Sequence, residues 1–78
     1  MNRSLEYYLS LPYTIVIKPD VTDGGFVAKI KELSGCLTQA DTWEELLQHI
    51  EEAKQGWLEV ALAEGMDIPE PLPEPLLP

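Results

Sequence analysis

The sequence contains only one cysteine and one histidine among its 78 residues. Cys36 alone cannot form an internal disulfide, and Cys36 with His49 cannot supply the four ligands of a structural zinc site. A chain of this length buries only about 60% of its unfolded surface, so a core without such cross-links is marginally stable. We therefore expect one small domain that has no metal or cofactor and forms a homodimer or a higher homo-oligomer.

Basic residues and long apolar runs are also scarce. Five Lys and Arg residues against 14 Asp and Glu residues give a formal charge of −9. Phosphate backbones repel such a surface, so we expect no direct binding of DNA or RNA, and a basic protein is the natural partner. Solubility alone is the other explanation of the charge. No apolar run approaches the roughly 18 residues of a membrane span, and the opening residues are too polar for a signal peptide, so we expect a cytoplasmic protein without membrane contact.

Three short segments have the alternating pattern of β-strands. The first is Leu11–Pro19, which is rich in β-branched residues and is followed by an Asp-Gly-Gly turn. The second strand is predicted over Gly25–Leu33 and the third over Cys36–Ala40, with a Ser-Gly turn between them. Short turns make the three strands an antiparallel meander, and such a small sheet needs a cover on one face.

The segment after the third strand predicts one long amphipathic helix. Thr42 and Glu45 have the spacing of a capping box, and Gly65 stands where a glycine commonly ends a helix. Between them, apolar residues recur at steps of three and four, which predicts about six turns with one face on the sheet. Gly56 lies in mid-helix at a cost of about 1 kcal/mol, which close packing or a slight bend would explain.

These elements predict an α+β fold in three parts: a lead segment over 1–10, a sheet-and-helix domain over 11–67 and a Pro-rich tail over 68–78. Alternating prolines exclude a helix from the tail and favour extended polyproline II. The sequence leaves open whether the tail lies over its own domain, contacts a neighbour or is disordered.

The reactive side chains do not form a catalytic motif. A cysteine nucleophile needs a base and an electropositive setting, whereas His49 is predicted on the helix beside carboxylates. We interpret Cys36 as a small buried thiol. Asp20 and Asp23 fit the chemistry of a turn, although a small metal-dependent hydrolase that uses them is an alternative. Because the sequence has no phosphate-loop, G-x-S-x-G or H-E-x-x-H pattern, we expect no enzyme, no catalytic residue and no metal ligand.

Four stretches carry a resemblance to a known family: DGGFVAKIKEL, SGCLTQADT, TWEELLQHIEEA and EGMDIPEP. In this order, and over roughly residues 11–71, they resemble the HicB-type antitoxins. The resemblance implies a partial RNase H-like domain that lacks the catalytic acids. It also implies a partner, since such antitoxins bind small basic HicA-type toxins, which cleave mRNA, and mask their active surface. Many of these antitoxins carry a C-terminal DNA-binding domain, and we expect a short form without one.

The resemblance and the charge together predict an antitoxin of a type II toxin–antitoxin pair that acts as an RNase inhibitor by direct binding. One alternative is a solo oligomeric interaction protein that has no toxin, and the other is the metal-dependent hydrolase. For the antitoxin, the residues predicted to contact the toxin lie on the outer side of the helix and at its first turn: Trp43, Glu44, Glu51, Glu52 and Glu59.

Overall fold

The computed structural model describes residues 4–71 as two helices and a three-stranded sheet. The elements follow the chain in this order: α1 (Leu5–Leu9), β1 (Ile15–Pro19), β2 (Phe26–Ile30), β3 (Leu37–Ala40) and α2 (Trp43–Glu64). The predicted α+β fold is confirmed. The ends of the chain, residues 1–3 and 72–78, lie outside the described residues, so the predicted division into a lead segment, a domain and a tail stays a prediction.

The sheet is the predicted antiparallel meander, in the order β1-β2-β3, but each strand is shorter than its sequence pattern. Before β1, the Thr14 N–H donates to a Glu32 carboxylate oxygen at 2.9 Å. After β2, the Leu33 N–H donates to Ile30 at 3.1 Å, and the Cys36 N–H donates to Leu33 at 3.0 Å. Because these hydrogen bonds use backbone groups that a longer ladder would need, they end the strands early.

One face of the sheet is covered by α2, and β2 supplies the centre of that face. Phe26, Ala28 and Ile30 lie on it, and Ala28 is only 1% exposed. The register places Ile17 and Thr38 on either side of Ala28, so these residues share its face. Against the opposite face, no described helix or strand is packed. The alternation seen in the sequence therefore separates the core face from an uncovered face.

Helix α2 begins and ends at the predicted residues. The Thr42 Oγ1 accepts the Glu45 N–H at 3.2 Å, which confirms one half of the capping box. The Glu45 carboxylate reaches back to the Thr42 hydroxyl, at 3.0 Å, instead of to a backbone N–H. At the other end, Gly65 has a φ of +68°, and the Met66 N–H donates to the Ala61 carbonyl at 2.9 Å. This pair of features is the Schellman motif that ends many helices.

The core lies between α2 and the β2–β3 half of the sheet, and α1 packs on α2 from the other side. Its largest fully buried side chains are Leu33, Leu46 and Leu58. Within residues 4–71, the backbone of α2 comes close to β3 and β2 but not to β1. None of the described helices is long and apolar enough to cross a membrane.

The first residues of the predicted tail lie over their own domain. The Tyr13 hydroxyl donates to the Pro69 carbonyl at 2.7 Å, and the Tyr7 hydroxyl donates to a Glu70 carboxylate oxygen at 2.9 Å. Ile68 packs against the core. Burial raises the pKa of Tyr13 to about 12, with the nearby negative charge of Glu70 as a second cause. Two tyrosines thus hold the described part of the tail.

Candidate partner-binding surface

The acidic residues predicted for partner contact lie on the solvent side of α2. We call this set the acidic face, and each member is exposed: Glu44, Glu51, Glu52 and Glu59. The helical period places Glu52 and Glu59 on the side away from the buried Leu46 and Leu58, and it places Glu44 and Glu51 at the border of the buried stripe. Among the described residues, the one cation paired with the acidic face is Lys54, whose Nζ lies 3.5 Å from a Glu51 oxygen. Lys54 is buried and Glu51 is exposed, and the other three carboxylates have no cationic partner among residues 4–71, so most of the negative charge of the face is not neutralised.

Trp43 flanks the acidic face at the first turn of α2. Its ring meets Phe26 edge to face, with 5.7 Å between centroids and 82° between planes. It nevertheless keeps 47% of its surface exposed, as does Leu47 one turn later. One side of Trp43 is thus fixed by the sheet while another side remains open to solvent, which is a suitable arrangement for an anchor residue at an interface.

An apolar groove of about 430 Å³ lies between the β2–β3 turn and the C-terminal half of α2. We call it the Gly56 groove, and its exposed walls are Leu37, Val60 and Met66. A Cβ added at Gly56 would meet no atom of the rest of the fold within 4 Å. Close packing is therefore the wrong explanation of this glycine. Gly56 instead lies in the open wall of the groove.

The Gly56 groove borders the acidic face because both belong to α2. Glu52 lies one turn before Gly56, and Glu59 lies three residues after it, so the carboxylates flank the apolar opening. The sequence reasoning missed the groove, although an unexplained glycine in mid-helix was its one visible signal. The acidic face and the groove therefore place negative charge beside exposed apolar side chains, and Trp43 lies at the other end of α2.

Cys36 is buried, with 5% of its surface exposed, and its thiol is free. Burial raises the pKa of Cys36, and the positive charge of Lys54 opposes this only in part. The thiol therefore remains protonated at neutral pH, which makes it a poor nucleophile. His49 is engaged elsewhere: its Nδ1–H donates to the Gln39 carbonyl at 2.8 Å. The structure thus gives Cys36 a place in the core and gives His49 a place on the β3 edge.

Asp20 organises the β1–β2 turn. One of its carboxylate oxygens accepts the backbone N–H groups of Thr22 and Asp23, at 3.0 Å and 3.2 Å. This is the hydrogen-bonded turn that aspartate commonly forms. Within residues 4–71, no group of three His, Cys, Asp or Glu side chains is arranged to hold a metal ion.

Residues 13–75 match the model of the HicB-like antitoxins of bacterial toxin–antitoxin systems. The chain belongs to this HicB-like antitoxin family. The resemblance noted in the sequence is therefore confirmed, and the family supports an antitoxin role within a toxin–antitoxin system.

Relatives of this HicB-like antitoxin occur in bacteria and archaea. A UPF0150 protein of Synechocystis is 46% identical over 57 residues, which are 73% of this chain and 77% of the relative. A UPF0150 protein of Archaeoglobus fulgidus is 42% identical over 50 residues, 64% of this chain and 71% of the relative. One of Thermoplasma acidophilum is 36% identical over 59 residues, 76% of this chain and 84% of the relative. No solved structure matches the chain significantly.

Proposed function

We propose that this HicB-like antitoxin binds a small basic HicA-type toxin, an mRNA-cleaving RNase, and inhibits it by covering the toxin's active surface. The observation that supports this most is the acidic face. Four exposed carboxylates lie along one helix, one of them has a cationic neighbour among the described residues, and the whole chain carries a charge of −9. A surface of this kind is complementary to a surface that binds RNA.

The electrostatic argument starts from the toxin's substrate. An RNase must attract a polyanion, so it presents cationic side chains around its active site. The acidic face competes for those side chains, and its field raises the rate of encounter. Long-range attraction between exposed charges is screened by salt, so association should weaken as ionic strength rises. Charge alone rarely gives tight binding, and the apolar part must come from residues beside the acidic face.

Trp43 and the Gly56 groove are the apolar parts that we assign to the interface. Trp43 offers a half-exposed ring that is already held by Phe26, so binding it costs little side-chain freedom. The Gly56 groove offers an opening that can receive an apolar side chain from the toxin. In this proposal one antitoxin molecule covers the active surface of one toxin molecule and so excludes RNA from it. The antitoxin itself catalyses no reaction.

Co-purification and titration test the proposal. The antitoxin is co-expressed with the product of an adjacent reading frame that encodes a short, basic, histidine-containing protein, and the purified pair is titrated by calorimetry at low and high salt. We expect binding at low salt that weakens at high salt. The double variant Glu52→Lys/Glu59→Lys should lower affinity on the order of tenfold and lose most of the salt dependence.

Asp67→Lys is the matched control, since Asp67 is exposed and lies beyond the end of α2. It changes the charge by +2, as Glu52→Lys alone does, but outside the acidic face, so we expect a much smaller loss of affinity than Glu52→Lys alone causes. Equal effects of the face and control variants would reject the acidic face as the contact. Magnesium- or manganese-dependent cleavage of RNA by the antitoxin alone, lost on mutation of Asp20 or Asp23, would instead support the hydrolase alternative.

A further inference from the structure

The free edge of β1 carries unpaired backbone groups at defined residues. The Thr14 carbonyl accepts the Lys31 N–H at 2.9 Å, and the Asp20 N–H donates to the Gly25 carbonyl at 3.0 Å. In an antiparallel pair, both backbone groups of a residue point to the same side, and the side alternates along the strand. The even-numbered residues of β1 therefore bond to β2. The backbone groups of Ile15 and Ile17 point away from the sheet.

The other edge of the sheet, on β3, is covered in part. The Ile30 N–H donates to the Cys36 carbonyl at 3.0 Å, so the same alternation turns the backbone groups of Leu37 and Gln39 outward. The Gln39 carbonyl accepts the His49 Nδ1–H, and α2 packs along this strand. On β1, by contrast, no group among residues 4–71 bonds to the outward side of Ile15 or Ile17.

The side chains of β1 are also left open. Ile15 is 40% exposed and Ile17 is half-buried at the margin of the core, although both lie on the core face, because the backbone of α2 lies over β2 and β3 and not over β1. Val16, on the opposite face, is half-buried too. An edge strand that is apolar on both faces is usually protected by charge, by proline or by pairing. Pro19 removes a donor at one end of β1, and its missing N–H falls on the outward side, where it costs no bond to β2.

We propose that β1 pairs with β1 of a second copy of this chain, antiparallel and about a two-fold axis beside Val16, to form a continuous six-stranded sheet. In this register, Ile15 of one copy and Ile17 of the second copy exchange two backbone hydrogen bonds. The two-fold axis repeats this pair, so the interface has four backbone hydrogen bonds. The register also sets Val16 opposite its own copy and Lys18 opposite Thr14. We call this interface between the two β1 strands the seam. Apolar residues lie opposite each other across the seam, and no two like charges lie directly opposite each other.

The charge distribution permits this dimer despite the net charge of −9 on each copy. The acidic face lies on α2, whose backbone packs over β3 and β2 and not over β1. The carboxylates are therefore at the far side of each copy from the seam, and salt screens their repulsion. Both acidic faces also stay accessible in the dimer.

The oligomeric state of the antitoxin alone tests this inference, and the result does not depend on the toxin. Sedimentation equilibrium of the wild type should give a dimer that dissociates on dilution. Ile15→Lys places a charge at the seam and should raise the dimer dissociation constant at least tenfold. Leu37→Lys is the matched control, since Leu37 is 61% exposed and its backbone N–H and C=O groups point away from the sheet at the β3 edge. It should leave the dissociation constant unchanged.

Amide hydrogen exchange supplies a second readout that needs no mutation. In the dimer, the amides of Ile15 and Ile17 should exchange slowly at high protein concentration and rapidly on dilution, while the Leu37 amide should not change. A wild type that is monomeric at all concentrations overturns the inference. So does a dimer that Leu37→Lys dissociates and Ile15→Lys does not, or one in which the two β1 amides stay unprotected.

Discussion

Gly56 and Gly65 give the same room to a new side chain but differ in backbone conformation. A Cβ added to either glycine meets no atom of the rest of the fold within 4 Å. Gly56 lies inside α2 with helical geometry, whereas Gly65 ends the helix with a φ of +68°. Replacing each by alanine therefore changes the backbone contribution to stability and little else. The two replacements should change the free energy of unfolding in opposite directions.

The size of both effects follows from known backbone preferences. Alanine is better than glycine in a helix interior by about 1 kcal/mol, so Gly56→Ala should stabilise the fold by that amount. A left-handed conformation costs a residue with a Cβ about 1–2 kcal/mol, so Gly65→Ala should destabilise it correspondingly. For a domain of this size, 1 kcal/mol shifts Tm by about 4–8 °C. We expect Tm to rise for Gly56→Ala and to fall for Gly65→Ala.

Thermal unfolding followed by far-ultraviolet circular dichroism measures both shifts, and urea titration checks them. All proteins must be compared at one concentration, because self-association makes Tm depend on concentration. A lower Tm for Gly56→Ala would refute the reasoning, since it would mean that the Gly56 groove is filled in solution. Shifts of the same sign for both variants would show that something other than backbone conformation decides the effect.

Three further predictions concern the hydroxyls and the thiol. Tyr13→Phe removes the 2.7 Å hydrogen bond to Pro69 and should cost about 1 kcal/mol. Because the Tyr13 pKa is about 12 in the fold against 10.0 in the free side chain, its stabilisation is present below pH 10 and is lost as pH rises from 10 to 12. Tyr13→Phe should therefore show a weaker alkaline loss in urea titrations, and an unchanged loss would contradict this assignment. Thr42→Ala should cost about 1 kcal/mol and Thr42→Asp much less; equal losses in the same assay would rule out the cap. Cys36 should react slowly with a thiol reagent until urea unfolds the chain, and rapid reaction of the folded protein would argue against a buried thiol.

The parts of the fold that could be predicted are those that nearby residues determine. Thr42 and Gly65 set the ends of α2 through hydrogen bonds and a backbone angle within a few residues of themselves, so the sequence alone locates them. The alternation of Phe26, Ala28 and Ile30 likewise assigns the core face of β2. The exposure of the acidic face follows from the helical period in the same way.

The parts that could not be predicted depend on contacts between distant segments. The Gly56 groove exists because α2 lies beside the β2–β3 turn, and neither segment alone indicates the distance between them. The difference between the two sheet edges depends on His49 reaching Gln39 across the fold. The strands were predicted too long because hydrogen bonds at Thr14 and Leu33 compete with the ladder, which an alternating pattern does not reveal.

An RNase inhibition titration tests most directly whether the acidic face covers a cationic toxin. The toxin that co-purifies with the antitoxin is separated from it, and its cleavage of mRNA is followed as wild-type antitoxin is added. We predict that cleavage stops when the antitoxin equals the number of toxin sites, and that Glu52→Lys/Glu59→Lys requires a large excess while Asp67→Lys does not. Cleavage that continues at saturating antitoxin, or inhibition that the double variant retains in full, would contradict the account.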